Sequence, residues 1–471
     1  MRFHHMKRAV IAGVLVGSLA AASPSQAHSR LVQDRAHSRW VDAWATGEQA
    51  AYPAGYEVGQ PGLIGPLGPN ATGPLLTFAF PQNVAQNQTL RMIIHPSIGG
   101  RVWRLRLTNV FGTSAVTFGD VRLAVQASGA TIMPGTSRTL TFSGSRSVSV
   151  PAGQDIRSDP IWLPLPTRPT TNLVVSLYVS GTTGAMTWHA ASFTTSYISN
   201  PGTGDHTADR FDDAFPNSTT SWFFLSALEV ERSDAATVIT FGDSITDGFY
   251  STINGNDRWP DQLQRRLVER ESPGGLKLSV VNEGIAGNMI TRIGRLPGGC
   301  TPCDGPPALD RLDRDIFSQP NVRAVVFLEG INDLGGGGAT ADQVIAGLKE
   351  VVARVHAHGI KIICATLTPS GGTNVDGLAN YGTPETNARR VAVNDFIRTS
   401  GTCDGVADFS AVTEDPANPG HLLPAYDLNS AVGGPGDHLH PDRAGFLAMA
   451  HAVDVSQLEE FARPDRIRRA H

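Results

Sequence analysis

Cysteine is scarce in this chain of 471 residues: there are four, none before Cys300. That excludes a disulfide-scaffolded mini-fold and any lipid attachment to an N-terminal cysteine. Charge is thin as well, at 17% of residues with a formal net charge of −5. Nothing here makes the electrostatic footprint of a nucleic-acid binder. Beyond the first few dozen residues no apolar run is long enough to span a bilayer. There is no H-E-x-x-H and no cysteine–histidine zinc spacing, which argues against metal-dependent hydrolysis. There is no G-x-S-x-G either, so the nucleophile elbow of the α/β-hydrolases is missing. What is present is a composition 41% hydrophobic, with 50 Gly and 31 Pro. That describes a globular, loop-rich and β-rich protein rather than a disordered one.

The N-terminus has its own signature. Arg2, Lys7 and Arg8 precede an apolar stretch, residues 9–22, too short to cross a membrane comfortably, and small residues follow up to Ala27. This reads as a secretory signal peptide over 1–27, cleaved after Ala27, rather than an anchor. Its removal takes three basic residues and no acidic one, moving the formal charge from −5 to −8. The expectation is an exported protein without a membrane anchor.

Two styles of sequence follow. From 38 to 232, short β-branched and aromatic runs such as RVWRLRLTNV, TNLVVSLYVSG and MTWHAASFTTSYIS alternate with Gly, Pro, Asn and Ser. This predicts an all-β sandwich or jelly-roll-like domain. From 233 to 460, near-continuous apolar runs (TVITFGDS, LKLSVVNEG, VRAVVFLEG, IKIICATLTP) suit parallel strands covered on both faces. Between them Trp259, Leu263 and Leu267, and then Ile345, Leu348, Val352 and Val355, fall at helical spacing, the second set closing at Gly359. A short strand at GVADF and a helix at PDRAGFLAMAHAVD complete an α/β pattern with a five-stranded parallel sheet. Ligands of such sheets sit at the carboxyl ends of the strands.

Three strings begin at those ends, and a fourth precedes the last helix. FGDSITDG (241–248) sets Ser244 where its strand must turn away. A serine there is a nucleophile only with a base and with donors for a developing oxyanion; otherwise it is a turn or a helix cap. DHLHP (437–441) offers His440 as base, with Asp437 three residues earlier to hold its other ring nitrogen and Pro441 suited to the first helical position. His438, adjacent to Asp437, is a poorer candidate. NEGIAGN (282–288) places Gly287, whose backbone can approach a substrate oxygen closely, and GIND (330–333) places Asn332, whose amide can donate. Each residue alone has an ordinary structural reading. Together they supply what acyl transfer needs.

These four strings, in this order, resemble the sequence blocks of the SGNH, or GDSL, hydrolase superfamily over about 235–455. The resemblance implies a flavodoxin-like three-layer fold, Ser244 as nucleophile, His440 as base and Asp437 as its orienting partner. It implies oxyanion donors from Ser244, Gly287 and Asn332, and neither cofactor nor metal. With its β-rich N-terminal part, the chain also resembles a secreted bacterial subgroup related to xylanolytic-cluster acylesterases. The expected function is hydrolysis of short acyl esters, above all acetyl groups on polysaccharides. A lipolytic esterase or lipase is the first alternative, and a glycan-binding protein without turnover the second.

Other features are weaker. His356 and His358 lie two apart on a helix and face different ways, so they read as a solvated helix end. Cys300 and Cys303 are expected to form a small local disulfide, while Cys364 and Cys403 either pair or stay reduced. Trp40, Trp44, Trp103, Trp162 and Trp188 read as sandwich core before sugar platforms.

Overall fold

A computed structural model describes residues 39–51, 79–80, 84–164, 167–169, 171–271, 274–291, 304–373 and 379–463. The leader over 1–27 and the Cys300/Cys303 pair lie outside the described residues. The N-terminal region is all β. Its main strands are β1 (Trp40–Ala45), β2 (Gln86–Ile94), β3 (Val102–Thr108), β4 (Val116–Ser128), β5 (Leu173–Thr182) and β6 (Leu225–Glu231). One sheet runs β1-β6-β3, with two short strands on the far side of β3, and the other carries β2, β5 and β4 side by side; all pairings are antiparallel. The alternation read in RVWRLRLTNV is what puts Trp103, Leu105 and Leu107 into a core shared with Leu90, Val121 and Leu177 of the second sheet. Trp44, Trp103 and Trp188 are buried as expected of core, whereas Trp162 is 53% exposed with Arg101 over its ring.

The second region holds five parallel strands: β7 (Ala235–Gly242), β8 (Lys277–Gly284), β9 (Val322–Leu328), β10 (Lys361–Ala365) and β11 (Gly405–Ala407). They are ordered β8-β7-β9-β10-β11, or 2-1-3-4-5 when counted from the first. Strand order reverses beside β7, which makes its carboxyl end a topological switch point, the place where such sheets bind ligands. The helices used below are α1 (Ser244–Asp247), α2 (Trp259–Glu269), α3 (Ile331–Gly335), α4 (Ala341–Ala357), α5 (Pro384–Thr399) and α6 (Arg443–Ala452). Helix α2 buries Trp259, Leu263 and Leu267 as their spacing predicts, and α4 buries Leu348, Val352 and Val355, while Ile345 is only half-buried. Cys364 and Cys403 are joined as a disulfide that ties β10 to the approach of β11.

One expectation needs correction. The helix expected to be last is followed by another at Val455–Ala462, and Pro441 is not the first residue of α6. Asp442 is its cap, accepting from the N–H groups of Ala444 and Gly445, and α6 starts at Arg443. A carboxylate at the cap satisfies two otherwise orphaned donors, which a proline at the first position does not.

The two regions share buried surface. Ala45 of β1 and Ala227 of β6 belong to the core of the parallel-sheet region. Thr237 accepts the Asp42 N–H at 3.2 Å, and the Ser97 and Ser279 hydroxyls meet at 2.7 Å. Among the described residues no helix is long and apolar enough to cross a membrane.

Candidate active site

Strand β7 ends at Gly242, where a side chain would collide with Thr246 and with the Leu328 carbonyl of β9. Only glycine lets the chain fold back this tightly. Asp243 then caps α1 by accepting the Ile245 N–H at 2.9 Å, so Asp243, and not Ser244, is the helix cap. Burial pushes the Asp243 carboxyl up to about 7. Ser244 opens the helix and its hydroxyl lies 2.8 Å from His440 Nε2. His440 Nδ1 lies 2.6 Å from Asp437 Oδ2. The other Asp437 oxygen accepts the N–H groups of Leu439 at 3.0 Å and His440 at 2.9 Å, so the carboxylate is locked by its own loop. All three side chains are buried.

The electrostatics of this row are mutual. Burial alone would lower the His440 pKa, but the Asp437 charge and hydrogen bond, with Asp243 and Asp247 further off, raise it above its ordinary value. Burial would raise Asp437, but the facing imidazole and the two backbone donors hold it below the usual carboxylate range. The His440 ring is flanked by Phe249 at 5.2 Å and Tyr250 at 5.7 Å between centroids. His438, the weaker candidate, is paired with Asp427 instead.

The other two predicted residues sit on neighbouring strand ends. After β8 the chain makes a turn closed by the Asn288 N–H on the Ile285 carbonyl at 3.1 Å, with Gly287 at its third position and φ of 77°. This backbone conformation suits glycine, and a side chain would also strike Asp304. Asn332, on α3 after β9, donates from Nδ2 to the Asn288 carbonyl at 2.8 Å, and Tyr381 donates to its Oδ1, also at 2.8 Å. Tyr381 therefore fixes which end of the Asn332 amide faces the Gly287 turn. The turn is fastened to the Ser244 helix as well: Asp247 Oδ2 accepts the Ala286 N–H at 3.0 Å. Ser244, Asp437 and His440 thus form one hydrogen-bonded row, and Gly287 and Asn332 meet around Asn288. Such a row can pass a proton from a hydroxyl to an imidazole, and backbone and amide N–H groups beside it can receive a developing oxyanion.

Sequence reasoning missed the groups under this floor. Arg311 is buried, lies over the Phe241 ring at 3.7 Å and bonds five acceptors: the carbonyls of Gly242 and Glu283, Asn288 Oδ1, Asp315 and Glu329. It ties together the ends of β7 and β8 and the residue that holds Asn332. Nothing in ALDRLDRD marks it. Burial pushes Glu329 up to about 8 even with Arg311 beside it, so its carboxyl can take a proton near neutrality if the arginine goes. Asp315 keeps Arg314 as a second partner. We therefore expect Arg311→Met to destabilise the fold by about 3 kcal/mol, the lower end for breaking a buried ion pair. Urea unfolding monitored by tryptophan fluorescence checks this, and an unchanged midpoint contradicts it.

Of the remaining candidates, His356 bonds Asp404 at 2.7 Å and His358 stacks on Phe317, so the two rings diverge. Among the described residues no cluster of three or more His, Cys, Asp or Glu could hold a metal.

Comparison with known proteins places the second region. Residues 240–447 match the model of the GDSL-like lipase/acylhydrolase family. No curated protein is similar enough to match. Among solved structures, a putative lipolytic protein of the G-D-S-L family from Desulfitobacterium hafniense is similar at 17% identity, covering 48% of this chain and 99% of that one, with a TM-score of 0.32. A family two carbohydrate esterase from Clostridium thermocellum is similar at 14% identity over 80% of this chain and 94% of that one, with a TM-score of 0.32. A carbohydrate acetylesterase from Sinorhizobium meliloti is similar at 16% identity over 47% and 99%, with a TM-score of 0.33. Residues 240–447 belong to the GDSL-like lipase/acylhydrolase family, and the chain that carries them is a carboxylic ester hydrolase.

Proposed function

We propose that the chain is a serine esterase acting through an acyl-enzyme. Ser244 Oγ attacks the ester carbonyl while its proton passes to His440 Nε2. The oxyanion is held by the N–H groups of Ser244 and Gly287 and by the Asn332 amide. Collapse breaks the bond to the alcohol, which leaves with the proton from His440. Water, deprotonated by the same ring, then attacks the acyl-enzyme, releases the acid and restores Ser244. Asp437 keeps the imidazole in the tautomer that can accept at Nε2. The observation that carries this reading is the unbroken row Asp437–His440–Ser244, at 2.6 and 2.8 Å.

The finer reading is an exported enzyme that removes short acyl groups, chiefly acetyl, from polysaccharides. Export is supported by the basic, apolar and small-residue order of 1–27 and by the Cys364–Cys403 disulfide. A short acyl group is supported by Phe249 and Tyr250, which crowd His440. We read 38–232 as an all-β sandwich or jelly-roll-like accessory domain and 233–460 as a three-layer, flavodoxin-like hydrolase domain, the latter supported by the 2-1-3-4-5 strand order.

Two measurements test this. A fluorophosphonate should label one residue per chain, found at Ser244 by peptide mass mapping; labelling elsewhere contradicts the mechanism. Nitrophenyl esters of increasing chain length, with acetylated xylan and acetylated pectin, should give the highest kcat/KM for acetyl. A steep preference for long chains would favour a lipase, and no turnover on any ester would favour a glycan-binding role.

A further inference from the structure

The segment MTWHAASF belongs to the β-rich region, yet it carries a histidine into the floor of the candidate site. His189 is buried, stacked on Trp222 with ring centroids 5.5 Å apart. Its Nδ1 lies 2.8 Å from the Gly47 carbonyl and its Nε2 lies 3.1 Å from Asp247 Oδ1. A carbonyl oxygen only accepts, so Nδ1 carries a hydrogen. Asp247 Oδ1 can accept from Nε2 when that nitrogen carries a hydrogen as well. A ring with a hydrogen on both nitrogens donates to both partners, and it faces an equally buried Asp247. Burial alone would lower the pKa of this ring, but Asp247 and the Gly47 carbonyl outweigh that and raise it.

Asp247 is the seventh residue of FGDSITDG, and its second oxygen accepts the Ala286 N–H at 3.0 Å. Ala286 directly precedes Gly287. The same turn is braced from the N-terminal side, because Gly47 packs against Ile285 so closely that a side chain at 47 would overlap it. His189 thus bonds both braces of the 285–287 turn: the Gly47 backbone on one side and Asp247 on the other.

We propose that His189, supplied by the N-terminal β region, is a positioning residue for acyl transfer that aims the Gly287 N–H at the oxyanion through Asp247 and Ala286. The inference rests on the serine-esterase reading. It makes the β region a structural component of the site rather than a detachable module. The effect belongs to the chemical step: a donor displaced by a fraction of an ångström stabilises the oxyanion less, while ground-state binding of the ester changes little.

The test uses the full chain and nitrophenyl acetate, with competent sites counted by fluorophosphonate titration so that any misfolded fraction drops out. His189→Ala should lower kcat per titrated site by about tenfold to a hundredfold, the range for a misaimed group, with KM little changed. His189→Gln, which keeps a donor for Asp247, should lose less. Asp247→Asn should also lower kcat, and combining it with His189→Ala should cost little more than the worse single change, as expected of residues acting through one contact. The proposal is overturned if kcat per titrated site is unchanged in His189→Ala while only the titratable fraction falls, since that is a purely structural role. It is equally overturned if KM rises with kcat intact, or if the two changes multiply. Ser244→Ala run in parallel separates the failures: retained activity there removes the esterase reading itself, whereas its loss beside an unaffected His189→Ala removes only this inference.

Discussion

Ser244→Ala should lower turnover of nitrophenyl acetate by at least about ten-thousandfold, the scale seen when the nucleophile of an acyl-transfer row is removed. The physical reason is that no other group can make the covalent bond from that position. In the variant, His440 Nε2 loses its partner at 2.8 Å and faces only solvent or substrate. The proposed oxyanion donors remain, because the backbone N–H of residue 244 survives the change and the hydrogen bonds of the Gly287 turn and the Asn332 amide run through Asn288 and Tyr381 and not through the hydroxyl. Substrate binding should therefore survive and the loss should fall on kcat. Folding should survive as well. The helix cap is Asp243, and alanine is a good helix former at the position it would take. The variant should unfold at the wild-type urea concentration and resist fluorophosphonate labelling. Turnover within a few fold of wild type, in protein free of wild-type contamination, would mean that Ser244 is not the nucleophile.

How much of this could be read beforehand depends on which forces leave a trace in one dimension. Strands buried on both faces leave continuous apolar runs, so β7, β8, β9 and β10 were legible, and with them the strand ends that carry Ser244, Gly287 and Asn332. Helices α2 and α4 were legible because their buried stripes are apolar. Helix α5 was not, because its buried face includes Arg390 and Asn394, which bond the Leu367 carbonyl and N–H beyond β10. A polar residue buried for a specific partner looks like a surface residue until that partner is known. Tyr381, Arg311 and His189 escaped notice for the same reason. Each acts through a contact with residues far away in the chain, and each sits in a string without a motif. The spacing that favoured His440 over His438 places His440 three residues after Asp437, where its ring turns back onto the carboxylate, whereas the adjacent His438 bonds Asp427 instead. The start of α6 was misplaced because the side chain of Asp442 outcompetes the fixed φ of Pro441 in setting where a helix begins.

Asp437→Asn should reduce kcat by about a thousandfold to ten-thousandfold while leaving the fold intact, and the direction follows from hydrogen-bond polarity. Asp437 Oδ1 accepts two backbone N–H groups, from Leu439 and His440, and Oδ2 faces His440 Nδ1. In asparagine, only the carbonyl oxygen can take the two backbone donors, so the NH₂ group is forced toward Nδ1. A donor there requires Nδ1 to accept, which places the ring hydrogen on Nε2, where it blocks proton transfer from Ser244. The pH profile should move too. In the wild type, Asp437 together with Asp243 and Asp247 outweighs burial and raises the His440 pKa, so the neutral base is reached only above the ordinary histidine value of about 6.5. Activity in kcat/KM should rise with pH through that raised value. Removing the Asp437 charge deletes the largest upward contribution and leaves burial pulling down, so the acid limb of the variant should shift to lower pH on a much lower plateau. Asp437→Ala provides the contrast: it removes the carboxylate without imposing a donor, so His440 is free to adopt either tautomer, and this variant should keep more activity than Asp437→Asn. If the asparagine variant instead turns over at close to the wild-type rate with an unshifted acid limb, His440 is not acting as a base oriented by Asp437.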